Sequence, residues 1–149
     1  MWVSTKAQYG MRALIEVAVG GDRPTSLKTV AERQNLSHQY LEQIFAVLRR
    51  SGIVESVRGA RGGYRLARRP VDLSALEVVE LLEGSVAPVQ CIDDEDACGR
   101  IGACSTEPLW REVDAAVRRV LGGTTLADLM AERQLLNIEP LPERFAVPG

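Results

Sequence analysis

The sequence predicts a mainly α-helical fold with a small β-hairpin wing, a winged helix-turn-helix domain followed by a long dimerisation helix. Three observations carry this. Residues 5–50 hold three segments whose apolar residues recur at helical spacing. The period then drops to two across residues 53–66, on either side of the turn Gly59-Ala60-Arg61-Gly62-Gly63. A further apolar stripe at helical spacing, Leu109 to Leu121, follows a cysteine-bearing stretch without periodicity.

The first helix is read over residues 5–20 from Tyr9, Ala13, Leu14, Val17 and Ala18, and Gly20-Gly21 stops it. Ser26 suits the N-cap of a short second helix with Leu27, Val30 and Ala31 on one face, ended near Asn35. Ser37 caps a third helix that buries Leu41, Ile44, Phe45 and Leu48 and closes at Ser51-Gly52. Residues 53–58 read as a mostly buried strand, and Tyr64-Arg65-Leu66 as the returning one. Ser74 and Glu77 form a capping-box signature for a fourth helix, with Leu73 and Val78 as its staple and Gly84 at its end. After Cys104 a long helix starts around Glu107-Pro108, with the stripe Leu109, Trp110, Val113, Ala116, Val117, Val120 and Leu121. Gly122-Gly123 ends it, and Thr124 or Thr125 caps a last short helix to about Arg133. The expected division is a DNA-binding domain over 1–84, a cysteine loop over 85–104, dimerisation and short C-terminal helices over 105–133, and a flexible tail over 134–149.

The 149 residues suffice for one domain with a real core, and the formal net charge is −2. No segment is long and apolar enough to span a membrane, and Lys6, Arg12 and Glu16 interrupt the first apolar pattern, so no signal-peptide core is available. The chain reads as cytoplasmic. In that compartment three cysteines do not suggest a structural disulfide, and a metal, a cluster or reactive thiols must be weighed instead.

Near neutrality hides a local excess. Residues 49–69 hold seven arginines and one glutamate, a charge of +6. Phosphate neutralisation drives DNA binding, so a concentrated basic patch is its expected footprint. The glycines beside Arg61 suit a tight tip, and an arginine there can enter a minor groove. The third helix presents Ser37, His38, Gln39, Tyr40 and Gln43 in its first two turns, where a recognition helix reaches base edges. Gln39 is the best candidate for an adenine edge. The competing reading is a solvated helix face beside a solvated hairpin.

The cysteines are spaced Cys91-x6-Cys98-x5-Cys104, which is neither a zinc ribbon, a redox CxxC nor a ferredoxin pattern. Gly99 and Gly102 would let the loop wrap so that three thiolates share one centre, and soft thiolates suit iron–sulfur clusters, zinc or copper(I). Glu107, three residues past Cys104, is the nearest carboxylate on the C-terminal side, and Asp93 to Asp96 offer other oxygens. Three unrelated thiols in an acidic loop remain the alternative.

Three stretches together carry a family resemblance: Ser26-Leu27-Lys28-Thr29-Val30-Ala31-Glu32-Arg33, then Tyr40-Leu41-Glu42-Gln43-Ile44-Phe45, then Val57-Arg58-Gly59-Ala60-Arg61-Gly62-Gly63-Tyr64. With the cysteine loop, they resemble the Rrf-type winged-helix transcription regulators, the IscR/NsrR-like iron–sulfur regulators among them. The resemblance implies a homodimeric regulator, usually a repressor, that binds a double-stranded DNA operator. It implies DNA contacts from Ser37, His38, Gln39, Tyr40, Glu42, Gln43, Arg58 and Arg61. It also implies an iron–sulfur cluster, 2Fe–2S ahead of 4Fe–4S, held by Cys91, Cys98 and Cys104 and sensing iron–sulfur, redox or nitric oxide status. Where IscR-like members carry a histidine as fourth ligand this chain has Glu107, and where NsrR-like members carry an aspartate it has Gln8.

Two alternatives keep the cysteines: a cluster-free thiol-redox or zinc-dependent regulator, and a zinc or thiol switch acting on a partner protein. An enzyme is not expected. The only histidine is His38, and the chain has no nucleotide-binding glycine fingerprint and no His-based catalytic set.

Overall fold

The computed structural model describes residues 3–136. Three helices come first: α1 (Thr5–Val19), α2 (Leu27–Gln34) and α3 (His38–Arg50). Each starts on a serine. The hydroxyls of Ser4, Ser26 and Ser37 accept from the main-chain N–H groups of Ala7, Thr29 and Tyr40, satisfying donors that a helix start leaves orphaned. The turn between α2 and α3 is made by Asn35 at φ 52, a left-handed conformation that asparagine tolerates. Ala13, Leu14 and Val17 of α1, Val30 of α2, and Leu41, Ile44, Phe45 and Leu48 of α3 are completely buried and form the core.

The hairpin pairs β1 (Val54–Val57) with β2 (Gly63–Leu66) in antiparallel register, Val54 opposite Leu66 and Val57 opposite Gly63. The expectation of a mostly buried strand is corrected. Within β1 only Val54 is buried, while Glu55 and Ser56 are exposed. A two-stranded ribbon has a single face to lay on a core, and Ile53, buried just ahead of β1, belongs to the turn.

A 3₁₀ turn at Pro70–Asp72 leads to α4 (Ala75–Glu83). The Ser74 hydroxyl accepts from the Glu77 N–H at 3.1 Å, as expected. The return half of the capping box is not made, because the Glu77 carboxylate pairs with Arg68. The chain beside Ser74 is held instead by the far end of the sequence: Ala75 N–H donates to Thr124 O and Leu126 N–H to Leu73 O, each at 2.8 Å. Leu73 and Val78 both enter the core.

The unperiodic stretch contains the single-turn α5 (Gln90–Asp93) and a 3₁₀ turn at Glu95–Ala97, elements too short to show a period. Then follow α6 (Glu107–Gly122) and α7 (Leu126–Leu136). Helix α7 runs past Arg133, so Gln134 to Leu136, expected in the tail, are helical; the rest of that tail, 137–149, lies outside the described residues. Helix α7 packs on α1 and on the 3₁₀ turn at Pro70–Asp72, and Leu126 is buried in the main core. The last helix is therefore part of the winged-helix body, while α6 runs over α4. Among the described residues no helix is long and apolar enough to cross a membrane.

Candidate nucleic-acid interface and cysteine loop

The exposed face of α3 carries Ser37, His38, Gln39, Glu42 and Gln43. Their availability differs. The Ser37 hydroxyl is engaged as the N-cap. His38 Nδ1 lies 3.5 Å from Glu42 Oε1. Tyr40 is half-buried and meets Tyr9 edge-on, with ring centroids 6.2 Å apart, so its ring fixes α3 against α1. Gln39 and Gln43 have no protein partner among the described residues and present both amide donors and acceptors to the outside.

The wing sorts its arginines into two groups. Arg65 pairs with Glu55 at 2.5 Å, Arg69 with Asp72 at 2.8 Å, and Arg68 with Glu77. Arg49, Arg50, Arg58 and Arg61 are exposed and have no acidic partner among the described residues. The paired three lie on β2 and just after it, and the unpaired four sit at the end of α3 and around the tip. The tip closes through Gly62 N–H to Gly59 O at 3.0 Å, and Gly59 takes a φ of +115 that a side chain would strain.

The cysteine loop places Cys91 in α5, Cys98 after the Glu95–Ala97 turn, and Cys104 just ahead of α6. All three are free thiols, with Cys98 exposed and the other two half-buried. Among the described residues no three His, Cys, Asp or Glu side chains are gathered so as to hold a metal ion. Cys104 Sγ lies 3.2 Å from Thr106 Oγ1, and the hydroxyl of Thr106, then its main chain, pull the thiol below its ordinary pKa.

Glu107 has a defined occupation. One carboxylate oxygen accepts from Gly102 N–H at 2.9 Å, and the other accepts from Arg111 Nε at 2.8 Å. The Gly102 amide, ahead of Arg111, holds this carboxyl below the usual carboxylate range. The residue nearest to a fourth ligand by sequence thus clamps the loop between Cys98 and Cys104. The other side of the loop is tied down by Asp93, which accepts from Ser85 and lies 3.9 Å from Arg118; Arg118 also reaches Glu80 of α4 at 2.6 Å and Asp114 at 3.0 Å.

The apolar stripe of α6 is divided. Val117 and Leu121 pack on the core of their own chain, whereas Leu109 and Val120 are 52% and 63% exposed.

One residue that sequence reasoning passed over is Glu16. It is completely buried in α1 and receives Gln34 Nε2 at 2.8 Å and Arg133 Nε at 2.7 Å. The available signal was its place among Ala13, Leu14, Val17 and Ala18, a carboxylate on the buried face of an apolar helix.

The fold and its basic hairpin define a winged-helix transcription regulator. The model of the Rrf2 family, described as an iron-dependent transcriptional regulator, matches residues 3–132, and the chain belongs to that family. It is 40% identical to the protein Rrf2 of Nitratidesulfovibrio vulgaris, over 94% of this chain and 97% of that one. It superimposes on CymR, the global cysteine regulator of B. subtilis, with a TM-score of 0.75 and 41% identity, covering 89% of this chain and 98% of that one. It superimposes equally on T. potens IscR, with a TM-score of 0.75 and 39% identity over 93% of each chain. The relatives are transcription regulators, not enzymes.

Proposed function

We propose that the protein is a homodimeric repressor that binds a double-stranded operator with α3 in the major groove and the wing tip in the minor groove. The observation that carries this reading is the set of four unpaired cations, Arg49, Arg50, Arg58 and Arg61, at the end of α3 and on the wing of a chain with net charge −2. They supply phosphate neutralisation. Gln39 and Gln43 read base edges, Gln39 an adenine, and Arg61 enters the minor groove. Ser37 and His38, at the positive end of the α3 dipole, lie against a phosphate, with Tyr40 and Glu42 behind them and Arg58 on the backbone. Leu109 and Val120 give α6 an apolar face for the second copy, and the site of action is the cytoplasm.

The cysteine loop is the sensor in this reading. Its three thiols fit an iron–sulfur cluster in donor chemistry. A cluster on Cys91, Cys98 and Cys104, 2Fe–2S ahead of 4Fe–4S, would supply a redox- and nitric-oxide-responsive centre. To hold it, the loop must draw the thiols together. As a fourth ligand Glu107 would use a lone pair that Gly102 and Arg111 leave open, or release one of them. The test is selection of duplexes from a random library, followed by binding at fixed salt with and without anaerobic cluster reconstitution. Expected are a duplex preferred at least about a thousandfold over unrelated DNA, a coloured iron-containing protein, and different affinities in the two states. Failure to enrich any duplex refutes operator binding.

A second reading, a cluster-free thiol or zinc regulator, is favoured by the likeness to a cysteine regulator. A protein that stays colourless and iron-free after reconstitution, yet binds its duplex according to thiol oxidation or zinc content, selects that reading.

A further inference from the structure

The Glu16 carboxylate is the only buried charged side chain among the described residues. A buried carboxylate is costly unless paired, so what surrounds it is under strong constraint. Its Oε1 accepts from Gln34 Nε2 at 2.8 Å and Arg133 Nε at 2.7 Å. Its Oε2 makes no hydrogen bond and lies 3.6 Å from Arg33 Nη1. These partners come from two places: Arg33 and Gln34 end α2 at the turn into α3, and Arg133 belongs to α7, 117 residues away.

The contacts continue beyond the carboxylate. Arg12 donates to Gln34 Oε1 at 3.0 Å and to the Gln34 carbonyl at 2.7 Å. Its guanidinium lies 5.5 Å from the Tyr9 ring centre, and Tyr9 meets Tyr40 in the first turn of α3. At the other end, α7 continues from α6 through Gly122-Gly123, so α7 anchors the arm that carries the exposed Leu109 and Val120.

We infer that Glu16 is a positioning residue for operator recognition: it locks the α7 end of the dimer arm to the helix-turn-helix turn and thereby sets how far apart the two recognition helices of a dimer stand. This rests on the proposed dimeric DNA binding. A dimer reads two half-sites at a spacing fixed by its own geometry. Loosening this joint therefore costs discrimination between spacings, while each half keeps its phosphate contacts. Glu16→Gln keeps the shape but removes the charge that two arginines face. Arg133→Gln removes the α7 partner from the more exposed side and leaves the core carboxylate with Gln34 and Arg33.

The experiment uses the full chain and a duplex selected by the wild-type protein, beside the same duplex with one base pair inserted at its centre. Wild type prefers the first. In E16Q and R133Q this preference falls roughly tenfold, with the salt dependence of binding unchanged. Hydrogen exchange, which needs no DNA, is expected to rise at residues 34–40 in R133Q, with the α1 core still protected. Equal loss on both duplexes, or no loss with unchanged exchange at 34–40, overturns the inference while wild-type discrimination leaves the operator reading standing. If wild type selects no duplex, the operator reading fails and this inference with it.

Discussion

Thr25 and Tyr64 exchange both main-chain hydrogen bonds, Thr25 N–H to Tyr64 O at 2.8 Å and Tyr64 N–H to Thr25 O at 2.9 Å. This bridge pins β2 to the entrance of α2, and Tyr64 also packs on the core residue Phe45, with ring centroids 5.0 Å apart. The two-stranded wing is therefore tied to the helix-turn-helix by an isolated bridge. Gly63 makes the approach possible: it has φ +151, and a Cβ there would collide with the Thr25 carbonyl. Gly63→Ala is expected to destabilise the fold by about 1–3 kcal/mol, seen as a lower urea midpoint at unchanged slope, and to weaken DNA binding further by displacing the tip.

Arg61 and Arg65 predict different outcomes although they lie on one hairpin. Arg61 is unpaired, so Arg61→Ala is expected to weaken binding to all duplexes and to lower the salt slope by about 1. Arg65 is neutralised by Glu55, so the double variant Glu55→Ala/Arg65→Ala is expected to leave the salt slope within error. Fluorescence anisotropy across a salt series checks both.

Leu109 and Val120 are the large apolar residues of α6 that their own chain leaves exposed. Leu109→Glu with Val120→Glu is expected to convert a dimer to a monomer at micromolar concentration in sedimentation, while circular dichroism stays unchanged. An unaltered mass would remove α6 as the interface.

Helix α7 begins with a reciprocal cap: Asp128 accepts from Thr125 N–H at 2.8 Å, and Asp128 N–H donates to the Thr125 hydroxyl at 3.1 Å. Thr125→Ala is expected to cost about 1 kcal/mol in denaturant unfolding. The Thr125 N–H, then its hydroxyl, hold the Asp128 carboxyl below its ordinary pKa. A carboxyl lowered by folding stabilises the folded state fully above its unfolded value, and this contribution fades as pH falls towards the folded value. The stability difference between wild type and Asp128→Asn is thus expected to be constant near neutrality and to shrink in the acid range below the usual carboxylate pKa.

Much of this molecule is legible in the sequence because the signals are local. Ser26, Ser37 and Ser74 each cap the helix that follows, Leu41, Ile44, Phe45 and Leu48 form one buried face, and Gly59 to Gly63 turn the wing. Each of these depends on neighbours within one or two turns. The DNA contacts proposed for Arg61 and Gln39 likewise rest on chain position, through the order of helix, turn and hairpin.

What escaped the sequence is which of several possible partners each charge takes once the chain is folded. Seven arginines in residues 49–69 look alike in the chain, and only the placement of Glu55, Glu77 and Asp72 shows that three are neutralised. Glu77 looks like a capping-box partner, but Arg68 competes for it. Glu107 looks like a free carboxylate beside a cysteine, but folding gives it Gly102 and Arg111. Local sequence determined the helices, the wing and the list of candidate groups, because capping, turn formation and amphipathic spacing act over a few residues. The tertiary structure decided which charges remain available and that Glu16 meets Arg133, because electrostatic pairing acts through space and places no constraint on separation along the chain.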